Sequence, residues 1–250
     1  GESAFDLAIK QQKLEPIKDK FWNPINKLTF GGRLFAPNMI PAGNTQGKYA
    51  STDYKGWQLC SINPSRKHNI KVVMHTAYAE SIDEWLQELS ETEKKIIANE
   101  KSIRKATLKW WNDFWDRSYI FIDNDIPDPK NEKWQVGRNY QVFRYQLACN
   151  AYGSYPTKFN GGLFTTDPEY INKSFNYSPD FRKWGGGSFT AQNQRLVYWP
   201  MLKSGDFDMM KSQFDFYNNM LNNAELRSMH YWGHQGACFT EQIENFGLPV

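Results

Sequence analysis

Two glutamates near the end of the chain, Glu241 and Glu244, stand three residues apart. On a helix they would share a face; on an extended segment they would not. Two neighbouring carboxyl groups can divide proton-transfer work, one held neutral as donor and the other ionised as base or nucleophile. Upstream, Gln192, Asn193 and Gln194 form a run of amides that leads into Arg195. Amides both donate and accept, so Gln192 and Asn193 could orient a water or a hydroxyl. Arg195 could clamp a carboxylate or phosphate, or simply pair with Asp206 or Asp208. Asn160 precedes Gly161-Gly162, Trp184 precedes three glycines, and His234 lies between Gly233 and Gly236. Flat aromatics, amides and a guanidinium together suit a sugar ring, which offers C–H faces for stacking and hydroxyls for directed hydrogen bonds. Each residue also has a plainer reading. Glu241 could be a helix N-terminal charge, Asn193 a cap and Asn160 a turn residue.

Most of these groups belong to one stretch, Asn160–Trp199, in which two glycine clusters bracket a long polar and aromatic loop that enters an apolar helix. Glycine lets backbone approach a ligand closely, and long irregular loops are most often functional or disordered. The density of Trp, Tyr and Phe argues for order.

Around that stretch the pattern changes along the chain. Residues 1–80 read as β-rich, with short runs at Leu28–Phe35, Trp57–Ile62 and Asn69–Thr76 bounded by Gly, Pro and Asn. Two or three strands do not close a sandwich, so this region reads as the end of a larger sheet. Ser81 followed by Glu84 has capping-box spacing, and no Pro or Gly interrupts the chain from there to Arg117. Residues 81–123 therefore read as a helical linker, with Trp110, Trp111 and Trp115 as packing residues and Tyr119–Asp123 as a short strand. The Pro-containing, charged segment 124–133 is the domain boundary. Beyond it, Val136, Tyr140, Phe143, Leu147 and Ala151 trace one helix face, and Phe207, Met210, Phe214, Tyr217 and Leu221 another. A third helix is expected over Gln192–Leu202, kinked or ended by Pro200. The fold class is α+β, with helices of residues 134–250 turning apolar faces to each other as in an α/α barrel.

Composition removes several function classes. The formal charge of +3 is dispersed, and the lysines around Glu93–Lys109 alternate with glutamates, which marks a solvated helix face rather than a nucleic-acid surface. No run of eighteen apolar residues exists, so no membrane span is expected. Cys60, Cys149 and Cys238 are too few and too scattered for a disulfide scaffold or a cysteine-rich metal site. Cys149 reads as a small buried hydrophobe. His230 and His234 have helical metal-ligand spacing, but Gly233 intervenes and no HExxH glutamate accompanies them. No metal and no cofactor is expected.

The order of motifs resembles the α/α-barrel glycoside hydrolases of the family 95, α-L-fucosidase type. Trp110-Trp-Asn-Asp-Phe-Trp-Asp-Arg-Ser-Tyr-Ile resembles that family's passage from linker helices into the barrel. Tyr155-Pro-Thr-Lys-Phe-Asn-Gly-Gly-Leu-Phe resembles its first barrel loop. Trp184-Gly-Gly-Gly-Ser-Phe-Thr-Ala-Gln-Asn-Gln-Arg-Leu-Val-Tyr-Trp-Pro resembles its Trp-Gly…Asn…Tyr-Trp-Pro stretch without a gap, and His234–Glu241 resembles a later ligand loop. The resemblance implies a β-sandwich end, a linker and the first half of a six-hairpin toroid. It also implies an oligo- or polysaccharide substrate and a periplasmic or extracellular location. Together with the residue chemistry above, it gives expected catalytic roles at Glu241 and Asn193, and expected sugar contacts at Asn160, Trp184, Gln192, Arg195 and His234. The first asparagine of the family's water-activating pair falls on Ala191, its loop glutamine falls on Asn160, and its general acid falls beyond Val250. Two other readings stay open: a non-catalytic carbohydrate-binding domain, and a polysaccharide lyase on a related toroid.

Overall fold

A computed structural model describes residues 2–49, 52–123, 125, 127–158, 174 and 188–249. The chain is mixed α and β, and it divides into two compact units. Residues 25–106 with Ser174 form one; residues 2–24 and the other described residues from Thr107 onward form the second.

The first unit is built on four antiparallel strands in two separate pairs. β1 (Leu28–Phe35) pairs with β4 (Lys71–Tyr78), and β2 (Met39–Tyr49) pairs with β3 (Thr52–Ser61). Helix α2 (Ile82–Arg117) starts in this unit. Ser81 accepts the Glu84 N–H at 3.2 Å, and the Glu84 carboxylate accepts the Glu80 N–H at 2.7 Å. The first bond satisfies an orphan donor of the first turn, as the capping-box spacing predicts, and the second reaches the residue before the cap. Strand alternation directs Val73 and Ala77 to one side of the β1–β4 pair, where they pack with Trp85, Leu89 and Ile96 of α2. Polar pairs fix the register of helix on sheet: Arg33 with Glu93 at 2.7 Å, Lys71 with Glu100 at 2.5 Å, and His75 with Glu88 at 3.1 Å. Inside α2, Asn99 leaves the helical region at φ −116°, and its side-chain amide bonds back to the Lys95 carbonyl. Such back-bonding bends helices.

The second unit corrects the reading of the N-terminal region. Its first residues are helical: α1 (Ala4–Gln11) is capped by Ser3, whose hydroxyl accepts the Asp6 N–H at 3.1 Å, and a 3₁₀ helix covers Glu15–Lys20. Phe5, Ala8 and Ile9 share one face and are buried, and the Phe5 ring meets Phe246 edge-on at 5.4 Å. The Phe–Ala–Ile spacing of three and one is helical, and the strand signals begin only after Pro24.

The core of this unit gathers the end of α2 with three later helices. α3 (Glu132–Asn150) is capped by Asn131, and α4 (Ala191–Ser204) continues four residues beyond Pro200 rather than ending there. The face expected over 207–221 is shared between a 3₁₀ helix at Phe207–Met210, α5 (Lys211–Asn219) and α6 (Leu221–Trp232). Phe114, Leu147, Ala151, Val197, Tyr198, Met201 and Met209 form one buried cluster, with Trp110, Trp111 and Trp115 packed against it as the sequence suggests. Phe189, Phe216, Met220 and Ile243 form another, organised by the short antiparallel pair β5 (Phe189–Thr190) and β6 (Gln242–Ile243). Cys149 is exposed, not buried.

Segment 119–123 forms no strand among the described residues. It runs instead over Gly137 of α3, where a methyl group would lie 2.6 Å from the Ile120 carbonyl oxygen. A β-branched, aromatic run supplies strand propensity, but a ladder needs a partner edge, and here a helix face takes that place.

Buried within this unit, the Arg144 guanidinium meets both carboxylate oxygens of Asp206, at 2.9 and 3.0 Å from Nη2. Arg144 also donates to the Phe114 and Ser118 carbonyls and lies 4.2 Å over the Phe114 ring. Ser204 donates to Asp206 at 2.5 Å. Arg117 reaches Asp206 at 3.4 Å and Asp208 at 2.6 Å, and Tyr152 donates to Asp208 at 2.6 Å. Desolvation pushes the Tyr152 hydroxyl up, and with Asp208 as neighbour its pKa reaches about 12. Partial burial works to raise the Asp208 pKa, but Arg117 and Tyr152 outweigh it, so the carboxyl sits below its ordinary value. The two aspartates are thus engaged by Arg117 and Arg144. Arg195 is not their partner.

Candidate functional site

The amide run occupies the first turn of α4. β5 leads into this turn, and β6 lies beside it, with Phe189 opposite Ile243 and Thr190 opposite Gln242. That pairing brings Glu241 onto the helix N-terminus. Its carbonyl accepts the Ala191 N–H at 2.7 Å, and its carboxylate accepts the Gln192 N–H at 3.1 Å. The first N–H groups of a helix lack intrahelical partners and carry the positive end of its dipole, so a carboxylate fits there. Glu241 therefore caps α4 from a distant part of the chain, in the role of acceptor. Glu244 does comparable work three residues on: it takes the Ser188 N–H at 3.1 Å and the Ser188 hydroxyl at 2.7 Å.

The inner face of α4 carries a polar stripe that is absent from the candidates named by sequence. Thr190, Gln194 and Tyr198 recur every four residues and are all buried. Gln194 donates its amide to the Thr157 carbonyl at 2.8 Å, and the Tyr198 hydroxyl accepts the Thr157 N–H at 2.8 Å. Two side chains thereby satisfy both backbone groups of one residue and hold the 155–158 segment against α4. The four-residue recurrence is a signal present in the sequence, but the outward-facing amides beside it form the denser polar run. The stripe is only half satisfied among the described residues. Thr157 Oγ1, Thr190 Oγ1 and Gln194 Oε1 are buried without a partner, and buried polar atoms in native structures seldom remain so.

Tyr217 borders the same region. Burial raises its hydroxyl pKa, and Tyr198 and the Glu241 carboxylate add to the rise. Tyr198 is raised too, by burial first, against the opposing bonds to Thr157 and Ser212. Both phenols are set to remain protonated donors. Tyr198 and Tyr217 thus lie on the buried side, whereas Gln192 is exposed and Asn193 half-buried at the start of α4.

Gln192 meets Glu241 through its backbone N–H, and Asn193 follows at once, half-buried, with no hydrogen bond from its amide among the described residues. Arg195 is exposed on the outer side, its guanidinium 5.8 Å from the Trp199 ring centre. Trp199 is exposed, and Tyr198 is buried. His234 follows Gly233, which ends α6 at φ 67°, so the His230–His234 spacing does not lie on one helix. His230 bonds the Lys13 carbonyl, and His234 bonds the Gln235 carbonyl and stacks on Trp232. Among the described residues no three His, Cys, Asp or Glu side chains cluster to hold a metal ion. Asn160 and Trp184 lie outside the described residues.

Residues 1–120 match a family described as a domain of unknown function, DUF5703, in its N-terminal part. No curated protein and no solved structure shows significant similarity to the chain. Among the described residues no helix is long and apolar enough to cross a membrane.

Proposed function

We propose that the chain is part of a glycoside hydrolase of the α/α-toroid kind, which hydrolyses glycosidic bonds of complex glycans outside the cytoplasm. The observation that carries the reading is the bond from the Gln192 backbone N–H to the Glu241 carboxylate, beside Asn193, at the start of α4. A carboxylate that accepts, beside amides that orient, is the half of a hydrolytic site that directs an attacking water or grips a sugar hydroxyl. The proton-donating carboxyl is the other half and belongs to a further part of the barrel in this reading. The α4 stripe contributes by fixing the 155–158 segment, which precedes Asn160 in the chain.

A non-catalytic sugar-binding role is the second reading, and one observation favours it: the Glu241 carboxylate already engages the Gln192 N–H, a capping bond that needs no substrate. The lyase reading has less support. A tyrosine that abstracts a proton beside a uronate calls for a lowered pKa, whereas Tyr198 and Tyr217 are shifted upward, which leaves a histidine or asparagine for that role.

The deciding experiment is hydrolysis of a panel of aryl glycosides and plant oligosaccharides by the full-length protein and its Glu241→Gln variant. A base- or acid-type role predicts a drop in turnover of about 10²–10⁴-fold with folding intact. Sugar binding without turnover in the parent protein would select the binding role instead, and an ultraviolet-absorbing unsaturated product would select the lyase.

A further inference from the structure

A cleft lies away from α4, between the end of α2, segment 119–122 and α3. One lobe, about 440 Å³, is lined by Trp115, Asp116, Tyr119, Phe121 and Gln141. An adjoining lobe of about 260 Å³ shares Phe121 and Gln141 and adds Trp134 and Arg138. Clefts of a few hundred Å³, mostly apolar with a few polar groups, are the usual form of small-ligand sites.

The lining is specific in its chemistry. The Tyr119 and Phe121 rings stack on each other 5.3 Å apart at 27°, and both are more than half exposed, so each leaves aromatic surface open to a ligand. Trp115 faces the same lobe, steadied from behind by Trp111 at 6.0 Å. Asp116 makes no hydrogen bond or ion pair among the described residues, and Gln141 Oε1 is buried without a partner. A wholly apolar occupant would strand these acceptors at a cost in desolvation. An anion would meet Asp116, and a cation would meet Arg138 in the adjoining lobe. What remains is a neutral ligand with flat C–H faces for the rings and hydroxyl groups for the carboxylate and the amide.

We propose that this cleft binds a neutral saccharide, one pyranose ring in each lobe, stacked on Tyr119 and Phe121 and hydrogen-bonded to Asp116 and Gln141. The site shares no residue with the α4 region and stands whether or not that region is catalytic.

Saturation-transfer NMR of the whole chain with maltose, cellobiose and lactose at millimolar concentration tests it. At least one disaccharide is expected to receive saturation at its ring C–H protons. Tyr119→Ala should weaken that binding about tenfold, the size of one aromatic stacking contact. Asp116→Asn should weaken it by a smaller factor. Both altered cleft residues are exposed, and circular dichroism checks that each variant folds. Silence from all three sugars overturns the proposal, as does transfer left unchanged by Tyr119→Ala. A concentration-dependent dimer abolished by Tyr119→Ala would also overturn it, showing that a second copy covers these rings.

Discussion

At the scale of single residues, the Arg144–Asp206 pair is the most demanding feature of the helical unit. Each side chain is 2% exposed, so neither charge is solvated by water and each depends on the other. Removing one partner of a buried pair leaves an uncompensated charge, which costs about 3–5 kcal/mol. Asp206→Ala should therefore lower the urea midpoint of the transition followed by tryptophan fluorescence, since Trp110, Trp111 and Trp115 border the same cluster. A loss below about 1 kcal/mol, the level of an exposed pair, would mean that water reaches Arg144. The pairing is not legible in the sequence. Arg195 is the nearest upstream arginine to Asp206, yet Arg144 and Arg117 are the partners, 62 and 89 positions away. Which of several arginines meets an aspartate is decided by helix packing, and spacing along the chain carries no record of that. Glu241 is different: its plainer reading as a helix N-terminal charge is open from the sequence, and the structure shows it capping α4. What the sequence lacks is the identity of the helix, because Glu241 caps a segment 49 positions upstream.

At the scale of elements, signals that act over a few residues read well. Ser81 and Glu84 announce the start of α2, and the two backbone amides they satisfy lie within one turn. Pro200 shows the limit of such rules. Proline removes one N–H bond and crowds the preceding turn, yet α4 continues through it because Val197, Tyr198 and Met201 are all buried on its inner face. Segment 119–123 shows the converse: strand propensity without an edge to pair with. Its position depends on Gly137, where the α3 surface lacks a side chain and the Ile120 carbonyl comes close. In an ordinary helix Gly→Ala stabilises by about 1 kcal/mol. Here the methyl group would collide with backbone at 2.6 Å, so Gly137→Ala should destabilise the unit instead. It should also loosen the Ser118 carbonyl from Arg144 and the Ser118 hydroxyl from Tyr140, which bond at the root of the segment. Thermal unfolding gives the sign directly, and a raised midpoint would show that the segment can move aside without loss.

At the scale of the whole molecule, the beginning of the chain serves a different unit from the one its sequence suggests. Periodicity assigns the first residues to the sheet because strands dominate residues 28–78, and the eight residues of α1 are too few to stand out. Their place is fixed by contacts at great sequence distance. Asn223 of α6 accepts the Trp22 N–H at 3.0 Å and donates to the Trp22 carbonyl at 2.8 Å and the Phe246 carbonyl at 3.0 Å. One buried amide thus ties residues 2–24 and the C-terminal segment to the same helix. Tyr231 and His230 add bonds to the Gln12 and Lys13 carbonyls. Each such bond contributes about 0.5–1.5 kcal/mol net, and orphaning the Trp22 amide adds desolvation, so Asn223→Ala should cost about 2–4 kcal/mol. The effect should be uneven, because segments open locally before the whole unit unfolds. Trypsin under native conditions should cut at Lys10, Lys13, Lys18 or Lys20 faster in the variant, while the β1–β4 region keeps its parental cleavage rate. Equal acceleration everywhere would mean that Asn223 supports the global fold rather than the docking of the N-terminal segment. Cleavage unchanged at those lysines would assign the docking to Phe5 and Ile9 in the core, with the amide serving only to satisfy backbone that burial has already brought together.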